Sequence, residues 1–347
     1  VLKLGMVYPP PRDLIKNLFE NVDEIIVVEE LEPFIENMVK QIGYDEGFSS
    51  KVKVNGKNLF PQNGEFPAEL YLEVLSEYMD LDYKKPNVPE EIIILPPRLP
   101  ILCPGCSHRS TFYAIKQVEK KLKIKFLNSS DIGCYTLAAY KPLEGLDAQI
   151  CMGASIGLAN GMTKVQPKEN PILAILGDST FFHSGIPALI NAVYNQNNML
   201  VVILDNHSTS MTGFQDNPGT GIKINKEPGN RIIIEDLVKG CGVEPDKIWI
   251  EDSNNLPALM EKLEIAVKAD GIRVLISRHT CSLIEYRQFQ REGIKIPVIE
   301  VDPDKCIGCK ICINTFGCPA INFLEDEKKA EIDQKFCRGC KVCIHVC

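Results

Sequence analysis

Residues 172–206 read ILAILGDSTFFHSGIPALINAVYNQNNMLVVILDN, and this stretch decides the fold. Ile172 to Leu176 is a short, wholly apolar run of the kind that forms a buried strand, and it stops at Gly177-Asp178. Ser184 to Tyr194 carries a helical pattern. Leu200 to Leu204 is a second apolar strand, stopping at Asp205-Asn206. Such a strand–helix–strand unit belongs to an open α/β sheet, which binds ligands beyond the carboxyl ends of its strands. Asp178, the Asn206 amide and nearby backbone carbonyls offer an all-oxygen donor set suited to Mg²⁺ holding a phosphate ester. Gly177 leaves room for close approach of the backbone to that phosphate. A plain βαβ unit in which Asp178 only caps the helix is the alternative.

The spacing resembles the thiamine-diphosphate motif, GDG followed further on by NN, with Ser179 in place of the third Gly and Asp205 in place of the first Asn. The wording GDSTFFHSGIPALINAVYN, with DIGCYTLAAY (131–140) and ICMGASIGLANG (150–161) upstream, is similar to one family over essentially the whole chain. That family is the large subunit of indolepyruvate:ferredoxin oxidoreductase. The resemblance implies Mg²⁺ held by Asp178, Asn206 and the backbone carbonyl of Ser208. It implies thiamine diphosphate bound by Gly133, Cys134, Tyr135, Met152, Gly153, Ala154, Gly177, Asp178, Ser179, Thr180, Asn206 and Ser208. Small residues at Gly153, Ala154, Ser155 and Gly157 suit either a helix N-terminus open to a phosphate or tight helix packing. The glutamate that activates the cofactor is expected outside this chain, on an N-terminal pyrimidine-binding part of the same subunit, and a small second (beta) subunit is expected as well.

Working outward, 347 residues are enough for two or three domains and a large core. A net charge of −8 argues against nucleic acid or an anionic membrane as partner. No apolar run reaches transmembrane length and no signal peptide opens the chain. Of the 14 cysteines, those from Cys306 to Cys347 fall in CxxC steps, which reads as metal-cluster ligation in a reducing cytoplasm. Val1 sits in what reads as a strand and Cys347 is the last residue, so both ends look like cuts in a longer polypeptide.

The N-terminal part, residues 1–85, alternates strands (Lys3 to Tyr8, Glu24 to Glu29, and a strand-like Lys51 to Leu59) with helices (Arg12 to Glu20, Pro33 to Ile42). Its EIIVVEELEP resembles the transketolase C-terminal-type domain. A proline-dense linker over 86–98 follows. The second domain, 99–290, opens with Cys103-Pro104-Gly105-Cys106 leading into a helix from Ser110. It continues with a strand from Lys125 to Asn128, a helix from Gly153, and a last strand from Gly271 to Ser277. Thr209 to Gly221 is a polar, glycine-rich loop and a candidate lid.

Residues 297–347 read as a small iron–sulfur module. Its two cysteine runs resemble a bacterial two-cluster ferredoxin, in which the fourth cysteine of each run ligates the other cluster. By that pattern one [4Fe–4S] cluster uses Cys306, Cys309, Cys312 and Cys347, and the other Cys337, Cys340, Cys343 and Cys318. Zinc is the alternative, but eight thiols in this spacing favour iron–sulfur. The wider 2-oxoacid:ferredoxin oxidoreductase family implies a third, proximal cluster on Cys103, Cys106, Cys134 and Cys281, the alternative being unligated pocket cysteines. Cys151 and Cys241 read as buried thiols. His108 and His183 suit either contact with substrate or cofactor, or structural hydrogen bonds. Arg109 suits either an anion partner or a helix start.

The expected fold is therefore α/β: a transketolase C-terminal-like domain, a doubly wound thiamine-diphosphate-binding domain and a small two-cluster ferredoxin-like α+β module. A thiamine cofactor beside iron–sulfur clusters argues for oxidative decarboxylation with ferredoxin as acceptor. The resemblance implies that an arylpyruvate and coenzyme A give aryl-acetyl-CoA, CO₂ and reduced ferredoxin. Another 2-oxo acid, a non-redox thiamine-dependent lyase or carboligase, and a pure electron-transfer subunit are the competing readings.

Overall fold

The computed structural model describes residues 1–85, 99–165 and 170–347. The linker expected over 86–98 lies outside the described residues. The chain forms two compact units, Val1–Pro96 and Pro97–Cys347.

In the first unit, α1 (Arg12–Asn21), β1 (Glu24–Ile26), α2 (Phe34–Asp45), β2 (Lys53–Asn55) and α3 (Ala68–Tyr78) follow in order, with β1 and β2 paired in parallel. Ile15, Phe19, Ile25, Val39 and Ile42 fill the core. Two expectations are corrected here. Lys3 to Tyr8 is not a strand, because it has no strand partner among the described residues. The strand from Glu24 ends at Ile26 instead of Glu29, because the Glu29 carboxylate turns to cap α2. It accepts hydrogen bonds from the Ile35 and Glu36 amides at 2.7 and 2.8 Å.

The second unit is built on a parallel sheet of β3 (Leu127–Ser130), β4 (Ile172–Gly177), β5 (Met199–Asp205), β6 (Ile248–Asp252) and β7 (Ile272–Arg278), in the order β3-β4-β5-β7-β6. Every residue of β4 and β5 is buried, as central parallel strands require. Their side chains alternate between two cores. Leu173, Ile175, Leu200, Val202 and Leu204 pack with α4 (Ser107–Leu122) and α9 (Leu256–Lys268). Ala174, Leu176, Val201 and Ile203 pack with α5 (Ser155–Val165), α7 (Ile186–Tyr194) and α8 (Ile234–Gly240). At about 1.5–3 kcal/mol for each fully buried aliphatic side chain, these two strands outweigh any local propensity in setting the fold.

The helix after β4 starts earlier than its sequence pattern suggests. Helical backbone begins at once with α6 (Asp178–Thr180), widens into a π turn (Phe181–Gly185) and continues as α7. Pro187, in the first turn of α7, has no N–H to return to the preceding turn, and the ladder widens just before it. Beyond β7 come α10 (Ser282–Glu292) and the cysteine-rich segment, with its antiparallel pair β8 (Ile321–Leu324) and β9 (Lys329–Ile332). Phe316 and Val342 of this segment enter the same core as α4, and the Phe316 ring meets Tyr113 edge-on at 5.4 Å. No described helix is long and apolar enough to cross a membrane.

Candidate functional site

A cleft of about 100 Å³ opens at the carboxyl edge of the sheet, where β3, β4 and β5 end. It is lined by all the expected cofactor residues except Gly153 and Ala154. Those two lie outside the lining. The amides of Gly153 and Ser155 donate to the buried Asp131 carboxylate, at 2.5 and 3.0 Å, and the Ala154 amide donates to the Cys151 carbonyl. Gly133 and Gly177 are needed for another reason: a Cβ on either would come within 2.5 and 2.9 Å of the Tyr135 ring.

Asp178 directly follows β4, as the first residue of α6, and is 3 % exposed. Its Oδ1 accepts from the Ser179 amide at 2.8 Å, and its Oδ2 from the Ser208 amide at 3.1 Å and Asn217 Nδ2 at 3.2 Å. Burial, and then the negative charge of Asp205, push its pKa up to about 7. The Ser208 hydroxyl beside it is buried without a partner. Asn206 faces the same point: its Oδ1 accepts from the Ser208 amide at 3.2 Å. A buried carboxylate short of positive charge, an amide oxygen and an orphan hydroxyl fit a divalent cation.

Asp205, next in sequence, does not line the cleft. Arg278 Nε donates to it at 2.6 Å, and Arg278 is in turn held by Glu235 at 2.7 Å. The pair answers a carboxylate at the position where the motif ordinarily has an amide.

His108 is buried in the cleft wall, edge-on to Tyr135 at 5.7 Å. Burial pulls its pKa down to about 4, so the ring is neutral at pH 7. Its Nε2 lies 3.3 Å from Asn206 Nδ2, a pure donor, so the ring proton sits on Nδ1 and Nε2 accepts. His108 thereby orients the Asn206 amide. His183 is exposed and lies outside this cleft. Among the described residues no carboxylate pairs with Arg109: it donates to the carbonyls of Leu102, Phe316 and Gly317. Asn217, which braces Asp178, carried no signal in the sequence beyond its place in a polar loop. Thr209 to Thr212 of that loop line the cleft.

The cysteines are all free thiols, and three groups of them lie close enough to disturb one another. Burial and then the neighbouring Cys281 and Cys103 push Cys134 up to about 11. Cys106 is pushed up to about 12, by burial first and with Cys103 adding to it. Cys312 is raised by burial and by Cys347, Cys309 and Cys306. Cys343 is pushed up to about 12 by burial and by Cys340, Cys318 and Cys337. Among the described residues, no three His, Cys, Asp or Glu side chains converge on a single metal ion. The wider thiol groups suit a four-iron cage better than zinc. Cys306 Sγ accepts the Ala330 amide at 3.5 Å, which lowers its pKa, and Cys337 Sγ accepts the Gly339 amide at 3.4 Å. Cys151, expected to be buried, is exposed, because it lies in the irregular approach to α5; Cys241 is buried as expected.

The first thiol group adjoins the cleft. Cys134 lines it, the Cys281 amide donates to the Asn206 carbonyl at 3.1 Å, and Ser282 Oγ ties the Cys103–Cys106 loop to α10 through the Pro104 carbonyl at 3.1 Å.

Residues 131–277 match the family described as "Thiamine pyrophosphate enzyme, C-terminal TPP binding domain", and residues 298–347 match "4Fe-4S dicluster domain". The chain is 40% identical to indolepyruvate oxidoreductase subunit IorA of Pyrococcus abyssi, over 100% of this chain and 55% of that protein. It is 43% identical to the subunit of the same name from Archaeoglobus fulgidus, over 93% of this chain and 51% of that protein. The chain thus spans about half the length of the curated relatives it matches. Among solved structures, a 2-oxoglutarate:ferredoxin oxidoreductase from Magnetococcus marinus gives a TM-score of 0.47 at 18% identity, covering 58% of this chain and 72% of that one.

Proposed function

We propose that, over the part of them that it spans, the chain belongs to the family of indolepyruvate oxidoreductase IorA subunits, and that it is the diphosphate-binding and electron-carrying part of an oxidoreductase for aryl 2-oxo acids. Electrons pass through [4Fe–4S] clusters to a ferredoxin, and coenzyme A takes the acyl group. Thiamine diphosphate, when bound, supplies the carbon nucleophile and electron sink for decarboxylation. Asp178, Asn206 and Ser208 hold the Mg²⁺ that anchors its diphosphate, with His108 keeping the Asn206 amide turned to the metal. Tyr135, Gly177 and Thr180 wall the cleft against water. Cys103, Cys106, Cys134 and Cys281 hold a proximal cluster, and the two cysteine sets of the C-terminal segment hold the others. The pyrimidine-binding part, the activating glutamate and a small subunit complete the complex, in a reducing cytoplasm.

The observation that carries this reading is the thiol group at the cleft wall. Cys134 faces the cleft, and the Cys281 amide donates to the backbone carbonyl of Asn206, itself one of the proposed metal ligands. A redox centre there would stand next to the carbon that loses CO₂, which a non-redox lyase has no use for. The test is an anaerobic assay of the intact complex with a panel of 2-oxo acids, coenzyme A and ferredoxin. Cluster bleaching and ferredoxin reduction with an aryl 2-oxo acid are expected. Turnover of a 2-oxo acid with the clusters left oxidised would favour the lyase.

A further inference from the structure

Arg109 is the third residue of α4 and is 2 % exposed. Burying a guanidinium is expensive unless something answers its charge, and a cation in the first turn of a helix meets the positive end of the macrodipole as well. Its side-chain hydrogen bonds among the described residues go only to backbone, and its guanidinium carbon lies 5.9 Å from the centre of the Phe316 ring. Nη2 donates to the Leu102 carbonyl, and Nη1 donates to the carbonyls of Phe316 at 3.1 Å and Gly317 at 2.6 Å. Nε is buried without a partner. No acidic side chain pairs with it among the described residues.

The acceptors are what make the arrangement specific. Leu102 immediately precedes Cys103, and Gly317 immediately precedes Cys318. One planar fork therefore ties together two cysteine loops that are more than 200 residues apart, as the separation of 208 between Arg109 and Gly317 records. Gly317 can present its carbonyl there because it has φ +63, and any Cβ would come within 2.5 Å of Pro142. Burial lowers the Arg109 pKa, while the thiols of Cys318, Cys106, Cys103 and Cys340 act against that fall. Two of these belong to each of the two proposed cluster sets.

We infer that Arg109 is a positioning residue between two iron–sulfur centres: it sets their separation and, as a buried cation between two anions, makes both easier to reduce. This rests on the proposed reading that Cys103, Cys106, Cys134 and Cys281 hold one cluster and Cys318, Cys337, Cys340 and Cys343 another. A cluster with four thiolate ligands is a net anion, and it gains one more negative charge on reduction. A fixed cation in a low-dielectric site favours the more negative state. In the step concerned, one electron leaves the first cluster, which is oxidised, and enters the second, which is reduced. No bond or proton moves. The clusters in turn supply the counter-charge that the guanidinium otherwise lacks.

The test is an EPR-monitored redox titration of the complete complex, isolated anaerobically with its clusters, as wild type, Arg109→Gln and Arg109→Lys. Iron analysis of the wild type comes first. About eight irons per chain would remove the proximal centre, and with it both the underlying reading and this inference, whereas about twelve passes the decision to the variants. In Arg109→Gln the two flanking centres are expected to become harder to reduce, by about tenfold in each one-electron equilibrium, or about 59 mV. The Cys306, Cys309, Cys312 and Cys347 centre is expected to stay where it is. Arg109→Lys keeps the charge but cannot donate to both loops, so its potentials stay close to wild type while the magnetic interaction between the two reduced centres changes. Wild-type potentials in Arg109→Gln, or equal shifts at all three centres, overturn the inference. If Arg109→Gln loses iron, Arg109→Lys decides: an unchanged magnetic interaction overturns it and a changed one supports it.

Discussion

Asp178 and Asp205 lie at the ends of adjacent strands and are both buried, yet different neighbours answer their charges. Asp178 has only amide donors and a like charge nearby, so it is the one left wanting a cation. Asp178→Ala in the full complex should lower bound thiamine diphosphate and Mg²⁺ more than tenfold, because a charged oxygen ligand is lost, while the far-UV circular dichroism stays that of wild type. Cofactor content close to wild type would refute the metal assignment. Asp205 depends on Arg278 instead. Arg278→Ala strands a carboxylate that is 4 % exposed and should cost about 3 kcal/mol. The double variant Arg278→Ala, Asp205→Asn puts the motif's usual amide in place and should recover most of that loss. Thermal unfolding of the three proteins side by side measures it; no recovery in the double variant would mean that Arg278 acts through Glu235 alone.

At the scale of elements, the readable ones were those whose pattern admits a single burial. β4 and β5 are continuous apolar runs because both faces are covered, and an unbroken run of that length carries this meaning on its own. β6 (IWIED) went unread, since it is an edge strand with only partial burial on either face. Helix α2 runs past its expected end at Ile42 because Gly43 leaves space for a neighbour. A Cβ at 43 would lie 2.6 Å from Phe19 Cζ, and the Phe19 ring is stacked on Phe48 at 5.4 Å and cannot withdraw. Gly→Ala within a helix ordinarily gains about 1 kcal/mol. Here overpacking at about 1–3 kcal/mol wins, so Gly43→Ala should lower the unfolding midpoint of the first unit; a rise would show that the ring moves aside.

Across the whole molecule, residues 97–347 act as one unit because the cysteine-rich segment sends Phe316 and Val342 into the core under α4. That packing brings the Cys318 loop to Arg109, and the Arg338 side chain to the Cys103–Cys106 turn, where a Cβ on Gly105 would lie 2.9 Å from Arg338 Cβ. The thiol group beside the cleft and the Cys318 loop are thus brought to opposite ends of one guanidinium. The anaerobically isolated complex should carry about twelve irons per chain of this kind, and Cys281→Ala should lose about four of them. About eight irons in the wild type, unaffected by Cys281→Ala, would leave only the two clusters of the C-terminal segment.

By itself the sequence determined the α/β class, the acidic and amide residues at the strand ends, and the division of the C-terminal cysteines into two runs. Each of these is written in local terms: apolar runs bounded by Gly-Asp and Asp-Asn, and CxxC steps that span a few residues. Tertiary structure decided the rest. Asp131 takes the Ser155 amide at the start of α5, Arg278 answers Asp205, His108 orients Asn206, and Arg109 joins the Cys103 and Cys318 loops. Those pairings link residues far apart in the chain. The free energy of a buried charge depends on which partner the fold brings to it, and no window of sequence contains both.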